Sequence, residues 1–214
     1  MNGDPDNPAR SKRVDQQWAR DQIAKYGRDN PWVLINVFGE FPPSSINTLI
    51  GPDEITAASR RSYRSDDLMG MPRILGVDVA LYGDDASVIW PRQGIVAFAP
   101  TIYRNVDAAQ GAGMLLRKWE DWEASAVFID DTGGYGAAWI SQLRQLGRSP
   151  FGIGFATSPN DSKFANKRAE IYFEAVQWIR QGGQLPPMST PGMAELTAAL
   201  TRTTYSAPKG RLIL

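Results

Sequence analysis

Two aspartates, each placed directly after an apolar run, are the residues of this sequence best suited to chemistry. Asp78 follows the run 74–77 (ILGV), and Asp130 follows the run 126–129 (AVFI). If the two runs are neighbouring strands, both carboxylates lie at the carboxyl edge of a sheet, where open sheets bind ligands. Two carboxylates so close repel each other and raise one pKa, and a divalent cation relieves that repulsion. The pair predicts a metal site; the alternative is that Asp78 caps a turn and that Asp130 and Asp131 cap the following helix.

Three further acids lie beside this pair in the sequence. Successive side chains of a strand point to opposite faces, so only one of Asp130 and Asp131 can join Asp78. We favour Asp130 because the apolar run stops there. Asp84 and Asp85 fall in a Gly-Asp turn, where they are typical turn residues. Asp85 or Asp131 is the candidate for an additional metal ligand. The glycines that follow Asp130, at 133, 134 and 136, would let the backbone pass close to a bound ion or phosphate.

The absence of two residue types narrows the chemistry. The 214 residues contain no Cys and no His, which excludes disulfides, thiolate and imidazole ligands, and Ser-His catalysis. Any metal must therefore be held by oxygen atoms, and carboxylate sites favour hard cations such as Mg²⁺ or Mn²⁺. The 23 basic and 23 acidic residues balance, so net charge gives no indication of a nucleic-acid partner. We expect neither a membrane span nor a secretory signal.

Clusters of basic residues are the candidates for contact with nucleic-acid phosphate. Lys163, Lys167 and Arg168 form one such cluster, and Lys209 belongs to another near the end of the chain. Lys167 and Arg168 also stand at the start of a predicted helix, where a phosphate could bind. The alternative for each is a solvated surface role, which is the more common one for clusters of this size.

Apolar periodicity and turn residues predict the elements that position these side chains. Before Pro72 we expect a loose arm over the first fourteen residues and a polar linker over 62–71. Between them the patterns predict a helix over 14–26 ended by Gly27, a β-type run over 32–38 and a helix over 52–61. This first part of the chain is therefore expected to be mainly helical.

Beyond Pro72 the pattern alternates between strands and helices. Strands are predicted at 73–80, 86–90, 94–99, 125–130 and 151–156, with a turn at 91–94. Helices are predicted at 108–123, 136–146, 165–179 and 192–200, and a hairpin joins 201–205 to 211–214. Three meandering strands followed by strand–helix alternation indicate an α/β fold, with a mixed central sheet flanked by helices.

Three segments resemble, in this order, the nuclease domain of tailed-phage terminase large subunits. They are ILGVDVALYGDDASVI (74–89), VFIDDTGGYGAAWISQL (127–143) and FANKRAEIYFEAVQWIRQGG (164–183). The stretch WARDQIAKYGRDNPWVLINVFGEFP (18–42) resembles the segment that follows the ATPase domain in the same proteins. The resemblance implies an RNase H-like nuclease domain at 73–214, preceded by an arm and linker segment at 1–72.

The resemblance also implies an activity and its partners. It predicts an endonuclease that cuts concatemeric viral DNA with two divalent cations, Mg²⁺ or Mn²⁺, in which Asp78 matches the first-strand acid and Asp130 the second. The basic candidates Lys163, Lys167, Arg168 and Lys209 would then contact double-stranded DNA. In the family the partners are the small terminase subunit, the portal protein and an ATPase domain. The resemblance places the protein in the cytoplasm of the bacterial host.

Two departures from the family pattern qualify this expectation. No GxxxxGK[ST] phosphate loop occurs in the chain, so it is not expected to drive ATP-dependent translocation by itself. The family takes a third acid from a helix beyond the last hairpin, whereas this sequence ends at Leu214. We therefore expect a nuclease domain truncated at its C-terminal end, with weak or absent activity on its own.

Two other classes of function fit parts of the sequence. The motif GVD together with DDTGGYG also resembles the phosphate loops of sugar-kinase and actin-like ATPases, since glycine-rich turns bind phosphates. That class requires a duplicated domain, for which the chain is too short. The other class is a non-catalytic module that docks on DNA or on a portal protein through arginine and tryptophan side chains.

Overall fold

The computed structural model describes residues 3–8, 11, 13–26, 28, 33–40, 47–80, 85–206 and 211–214. Before Pro72 it contains helix α1 (Gln16–Tyr26), a π-helical turn (Leu34–Phe38), helix α2 (Pro52–Ser59) and a 3₁₀ turn (Ser65–Leu68). None of the helices within these ranges is long and apolar enough to cross a membrane.

The rest of the described chain alternates between strands and helices, as predicted. The strands are β1 (Arg73–Asp78), β2 (Ala86–Gln93), β3 (Val96–Ala97), β4 (Thr101–Arg104), β5 (Ala126–Asp130) and β6 (Phe151–Ile153). The helices are α3 (Ala108–Asp121), α4 (Ala137–Gln145), α5 (Lys167–Arg180) and α6 (Met193–Arg202). A 3₁₀ turn at Thr132–Gly134 separates β5 from α4.

The six strands form one mixed sheet in the order β3-β2-β1-β5-β6, and β4 pairs with the other end of β2. The pairs β1–β5 and β5–β6 are parallel, whereas β2 runs antiparallel to β1, β3 and β4. This arrangement confirms the predicted mixed sheet with helices on its faces. It also makes β1 and β5 central neighbours.

Each face of the sheet is covered by its own hydrophobic cluster. On one face, Leu75 and Val77 of β1 and Val127 and Ile129 of β5 pack against α3 and α4. On the other face, helices α2, α5 and α6 form a second cluster that includes Ala97 of β3. Burial of the apolar side chains that face α3 and α4 stabilises the two central strands, whereas their other face is more open, with Phe128 36% exposed.

The β-type run predicted at 32–38 is wrong where the structure describes it, because Leu34–Phe38 is a π-helical turn. Short apolar runs do not distinguish a strand from a helix by periodicity alone. Val33 and Val37, four residues apart, are both buried beside Ala19 of α1, and that contact selects the helical form. Trp32 and the predicted stop at Gly27 lie outside the described residues.

The turn predicted at 91–94 is also misplaced, because β2 continues through Pro91 to Gln93 and the chain turns at 94–95. The carbonyl of Pro91 accepts from the N–H of Phe98, and in an antiparallel strand the N–H and C=O of one residue point to the same side. The N–H that proline lacks would therefore face the break between β3 and β4. Of the predicted strand at 94–99 only Val96–Ala97 forms a strand, and β4 (Thr101–Arg104) lies beyond the predicted range.

The segments predicted as arm, linker and hairpin are partly packed. The N–H of Gly3 donates to the carbonyl of Val37 at 2.8 Å, and the Tyr63 hydroxyl donates to the carbonyl of Gly182 at 2.7 Å. Ser206 pairs antiparallel with Ile213, in agreement with the hairpin, although the helix before it extends to Arg202. The domain boundary at residue 72 stays a prediction.

Candidate metal centre

The parallel pairing of β1 with β5 brings the two predicted acids together. Val77 lies opposite Ile129 in the register, so Asp78 and Asp130 end the two strands side by side. Because side chains alternate along a strand, burial of Val77 and Ile129 against α3 and α4 turns both aspartates to the other face. The sheet edge therefore presents two adjacent carboxylates on the face that carries α5.

An open pocket of about 410 Å³ lies over this pair of carboxylates. Its lining includes Asp78 and Asp130, and the aromatic side chains of Trp90, Phe128, Phe155 and Tyr172. Tyr172 belongs to α5, whereas Trp90 and Phe128 belong to β2 and β5. The acids are thus accessible to solvent and to a ligand, with apolar rings around them.

The environment of Asp78 disfavours its charged form. Although much of the residue is open to solvent, partial desolvation of the carboxyl group raises the pKa of Asp78 above its ordinary value. The negative charges of Asp130 and Asp85 raise that pKa further. The repulsion predicted from the sequence is therefore present, and a bound cation would remove it.

The orientation of Asp130 is fixed by the turn that follows it. Its Oδ1 atom accepts a hydrogen bond of 2.8 Å from the backbone N–H of Thr132. Gly136 then passes so close to β5 that a Cβ atom there would lie 2.4 Å from the carbonyl oxygen of Asp130. A larger residue at position 136 would push the turn away from the acid pair.

The structure separates the other acidic candidates. Asp85 is near enough for its charge to raise the pKa of Asp78. Asp131 lies on the opposite side, where a Cβ atom on Gly152 would be 3.7 Å from its Oδ2 atom and 3.0 Å from Ile140 in the core beneath the sheet. Asp131 therefore does not face the pocket, and Asp84 lies outside the described residues.

The predicted basic residues differ in what they contact. Lys163 is paired with Asp161 at 2.8 Å, and Lys167 is paired with Glu170. The Arg168 guanidinium lies over the ring of Tyr172, 5.6 Å from its centroid, and makes no ion pair with any carboxylate of the described residues. Of the predicted basic residues in the described ranges, Arg168 is thus the one without an ion pair, and it lies beside Tyr172 of the pocket lining; Lys209 lies outside the described residues.

Glu170 is a buried acid whose environment the sequence pattern did not indicate. It is only 2% exposed, and its Oε1 atom accepts the backbone N–H groups of Asn160 and Asp161, both at 2.8 Å. Lys167 and these two hydrogen bonds lower the pKa of Glu170, the lysine most strongly. The carboxylate therefore ties the loop before α5 to the first turn of that helix. An acid in the first turn of a helix is common, so no sequence signal marked this one as buried.

The donor set fits a hard divalent cation, with Asp78 and Asp130 as the residues that would hold it. Both are carboxylates, the ligands that Mg²⁺ and Mn²⁺ prefer, and their mutual repulsion is the observation that a cation explains. Within the described ranges, no group of three or more acidic side chains is placed to hold a metal. A further protein ligand is therefore not assigned.

The fold matches that of the nuclease domains of phage large terminase subunits. The nuclease domain of the large terminase subunit gp2 of bacterial virus Sf6 has a TM-score of 0.62 and 20% identity. That likeness covers 78% of this chain and 87% of the Sf6 chain. The nuclease of thermophilic phage G20c with bound magnesium has a TM-score of 0.52 and 16% identity, over 79% and 87% of the two chains.

The sequence itself is similar to a probable terminase large subunit of Enterobacteria phage P7. The two are 42% identical over 85 residues, which is 39% of this chain and 17% of that protein. The chain thus spans less than a fifth of the length of that relative. No protein-family model matches the chain. A variant of the Sf6 domain has also been solved with manganese, at a TM-score of 0.60 and 20% identity. The predicted resemblance to terminase large subunits is confirmed.

Proposed function

We propose that this chain is the metal-dependent endonuclease domain of a phage DNA-packaging terminase, which hydrolyses phosphodiester bonds of concatemeric viral DNA. The observation that carries the proposal is the acid pair, Asp78 and Asp130, at the ends of adjacent parallel strands in a fold shared with terminase nucleases. In this proposal the partners are double-stranded DNA, the small terminase subunit, the portal protein and an ATPase domain, in the bacterial cytoplasm.

The side chains of the pocket have separate roles in this proposal. Asp78 and Asp130 hold the cations, and the family resemblance implies two cations. The N–H of Thr132 keeps the Asp130 carboxylate in position. When bound, divalent cations supply an activated water nucleophile and charge that stabilises the leaving oxygen. Asp85 adds negative charge to the site, and Arg168 contacts a phosphate of the bound strand at the α5 side of the pocket.

Metal binding at the acid pair can be tested by the thermal stability of the protein. We expect Mn²⁺ to raise the Tm of the wild type, since a ligand at about 100 times its Kd stabilises the folded state by about 2.7 kcal/mol. Asp78→Asn should lose this rise, because the neutral amide no longer attracts the cation. Asp66→Asn, an exposed acid of the 3₁₀ turn at Ser65–Leu68, is the matched control and should keep it.

The same variant is expected to behave differently without metal. A carboxyl group whose pKa is raised in the folded state contributes less to stability as the pH rises through that pKa. In EDTA, Asp78→Asn should therefore unfold at a higher temperature than the wild type at neutral pH, and the difference should disappear in acid. A full Mn²⁺ response in Asp78→Asn would contradict the assigned metal site.

The role of Arg168 can be separated from that of Lys163 through the salt dependence of DNA binding. Each phosphate contact adds about one unit to the slope of log K against log salt. We expect Arg168→Gln to reduce that slope by about one unit and Lys163→Gln to change it little, because Lys163 is already paired with Asp161. Anisotropy titrations of a labelled duplex over a range of salt provide the measurement. Equal slopes for Arg168→Gln and the wild type would remove Arg168 from the DNA contacts.

A further inference from the structure

Two phenylalanines form an exposed stacked pair at the edge of the sheet. Phe128 of β5 and Phe151 of β6 are direct partners in the register, and their rings stack with centroids 5.3 Å apart and planes inclined by 23°. Phe151 is 56% exposed and Phe128 36% exposed. Contiguous exposed apolar surface, unlike a single exposed apolar residue, is the kind of surface feature that marks interaction sites. We call this pair the phenylalanine ledge.

The phenylalanine ledge lies directly beside the acid pair. Phe128 and Asp130 are two residues apart on one strand, so they share a face of the sheet at a spacing of about 7 Å. Phe128 lines the same pocket as Asp78 and Asp130. Phe151 extends the apolar surface of Phe128 outward to the edge strand, away from the acids.

This juxtaposition matches the chemistry of one nucleotide. A nucleotide carries an apolar base face and a charged phosphate separated by a few ångströms, and aromatic side chains stack on bases of any sequence. The pocket offers the same pattern, because Phe128 of the phenylalanine ledge lines it together with the acid pair, and Arg168 lies over the ring of Tyr172 in the same lining. A purely apolar partner bound here would also cover two carboxylates and a guanidinium. Removing these charges from water without pairing them costs free energy.

We propose that the phenylalanine ledge stacks an unpaired base next to the phosphodiester held at Asp78 and Asp130, so that the site takes a single strand or a locally opened duplex. This inference rests on the proposed nuclease function. Bases of an intact duplex already stack on their neighbours, so the ledge can receive only a base that has left that stack. The free-energy cost of unstacking is lowest when the strand is already single-stranded.

The test compares a short oligothymidylate with an abasic oligonucleotide of the same length and charge, by competition anisotropy in Ca²⁺. Both present the same number of phosphates, so the ratio of their affinities isolates the contribution of the bases. Stacking of one base corresponds to about tenfold in affinity. We expect the wild type to prefer the oligothymidylate by about that factor. Phe151→Ala should abolish the preference, and Phe151→Trp should retain it.

Two further measurements make the outcome decisive. Leu146→Ala removes another side chain that is 54% exposed, at the end of α4 on the opposite face of the sheet, and should leave the preference unchanged. Phe151→Ala should not alter binding of a blunt duplex. The inference is overturned if the wild type shows no preference for the oligothymidylate, or if Phe151→Ala keeps that preference. It is also overturned if Phe151→Ala weakens duplex binding as much as oligothymidylate binding. Failure of the nuclease proposal would appear instead as a wild-type Tm that Mn²⁺ does not raise, or as a full Mn²⁺ response in Asp78→Asn, neither of which this comparison measures.

Discussion

In a full-length protein, replacing either Asp78 or Asp130 with asparagine is expected to reduce Mn²⁺-dependent nicking of supercoiled plasmid DNA by about a thousandfold. The two carboxylates end adjacent parallel strands and line one pocket. An asparagine side chain has nearly the same shape but carries no charge, so it cannot balance a divalent cation. The loss of several kcal/mol of charge stabilisation in the transition state corresponds to a rate change of that size.

The nicking rates are measured from the conversion of supercoiled to open-circular plasmid with time. Asp131→Asn is the matched control, because Asp131 is the next residue in the chain but lies on the α4 side of the sheet. It is expected to nick within about threefold of the wild-type rate, since no transition-state charge is lost. Wild-type nicking by both Asp78→Asn and Asp130→Asn would refute the proposed active site.

Replacing Gly111 with alanine is expected to lower the free energy of unfolding by about 1–3 kcal/mol. Gly111 lies inside α3, where glycine is normally less stable than alanine by about 0.5–1 kcal/mol. In this fold, however, a Cβ atom at Gly111 would lie 2.0 Å from Cζ2 of Trp139 on α4. Trp139 is only 2% exposed and packs within the core cluster on this face, so it can move only by displacing its neighbours. Overpacking therefore outweighs the gain in helix propensity.

Gly113 provides the control within the same helix. It is exposed, and a Cβ atom there would meet no other atom within 4 Å. Gly113→Ala is therefore expected to raise the free energy of unfolding by about 0.5–1 kcal/mol. Urea denaturation followed by circular dichroism measures both variants. Shifts of the same sign would contradict the close contact between α3 and α4 that supports the strands beneath the acid pair.

The sequence by itself determined the central strands and the acids that end them. The apolar runs before Asp78 and Asp130 predicted two strands that each end in an acid, within a mixed sheet flanked by helices. The sequence placed the two carboxylates at one sheet edge only on the condition that these strands are neighbours, and the parallel pairing of β1 with β5 meets that condition. The lack of His and Cys restricted any metal ligands to oxygen. These inferences depend on residue type and period, which a sequence displays directly.

Tertiary structure alone decided the features that depend on contacts between distant segments. The run 33–38 became helical because Val33 and Val37 pack beside Ala19, and Pro91 entered a strand because its missing N–H faces a break in the sheet. The fold was also needed to identify the basic side chain that is available near the pocket. Lys167 is paired with the buried Glu170, whereas Arg168 lies over the ring of Tyr172.

The same reason explains the phenylalanine ledge. Phe128 is separated from Phe151 by a helix and two loops, and their rings meet only because β5 and β6 pair in parallel. Residues far apart in sequence come together through packing energies that no local pattern encodes. The acids could therefore be found from the sequence, whereas the surface that would receive a base beside them required the folded sheet.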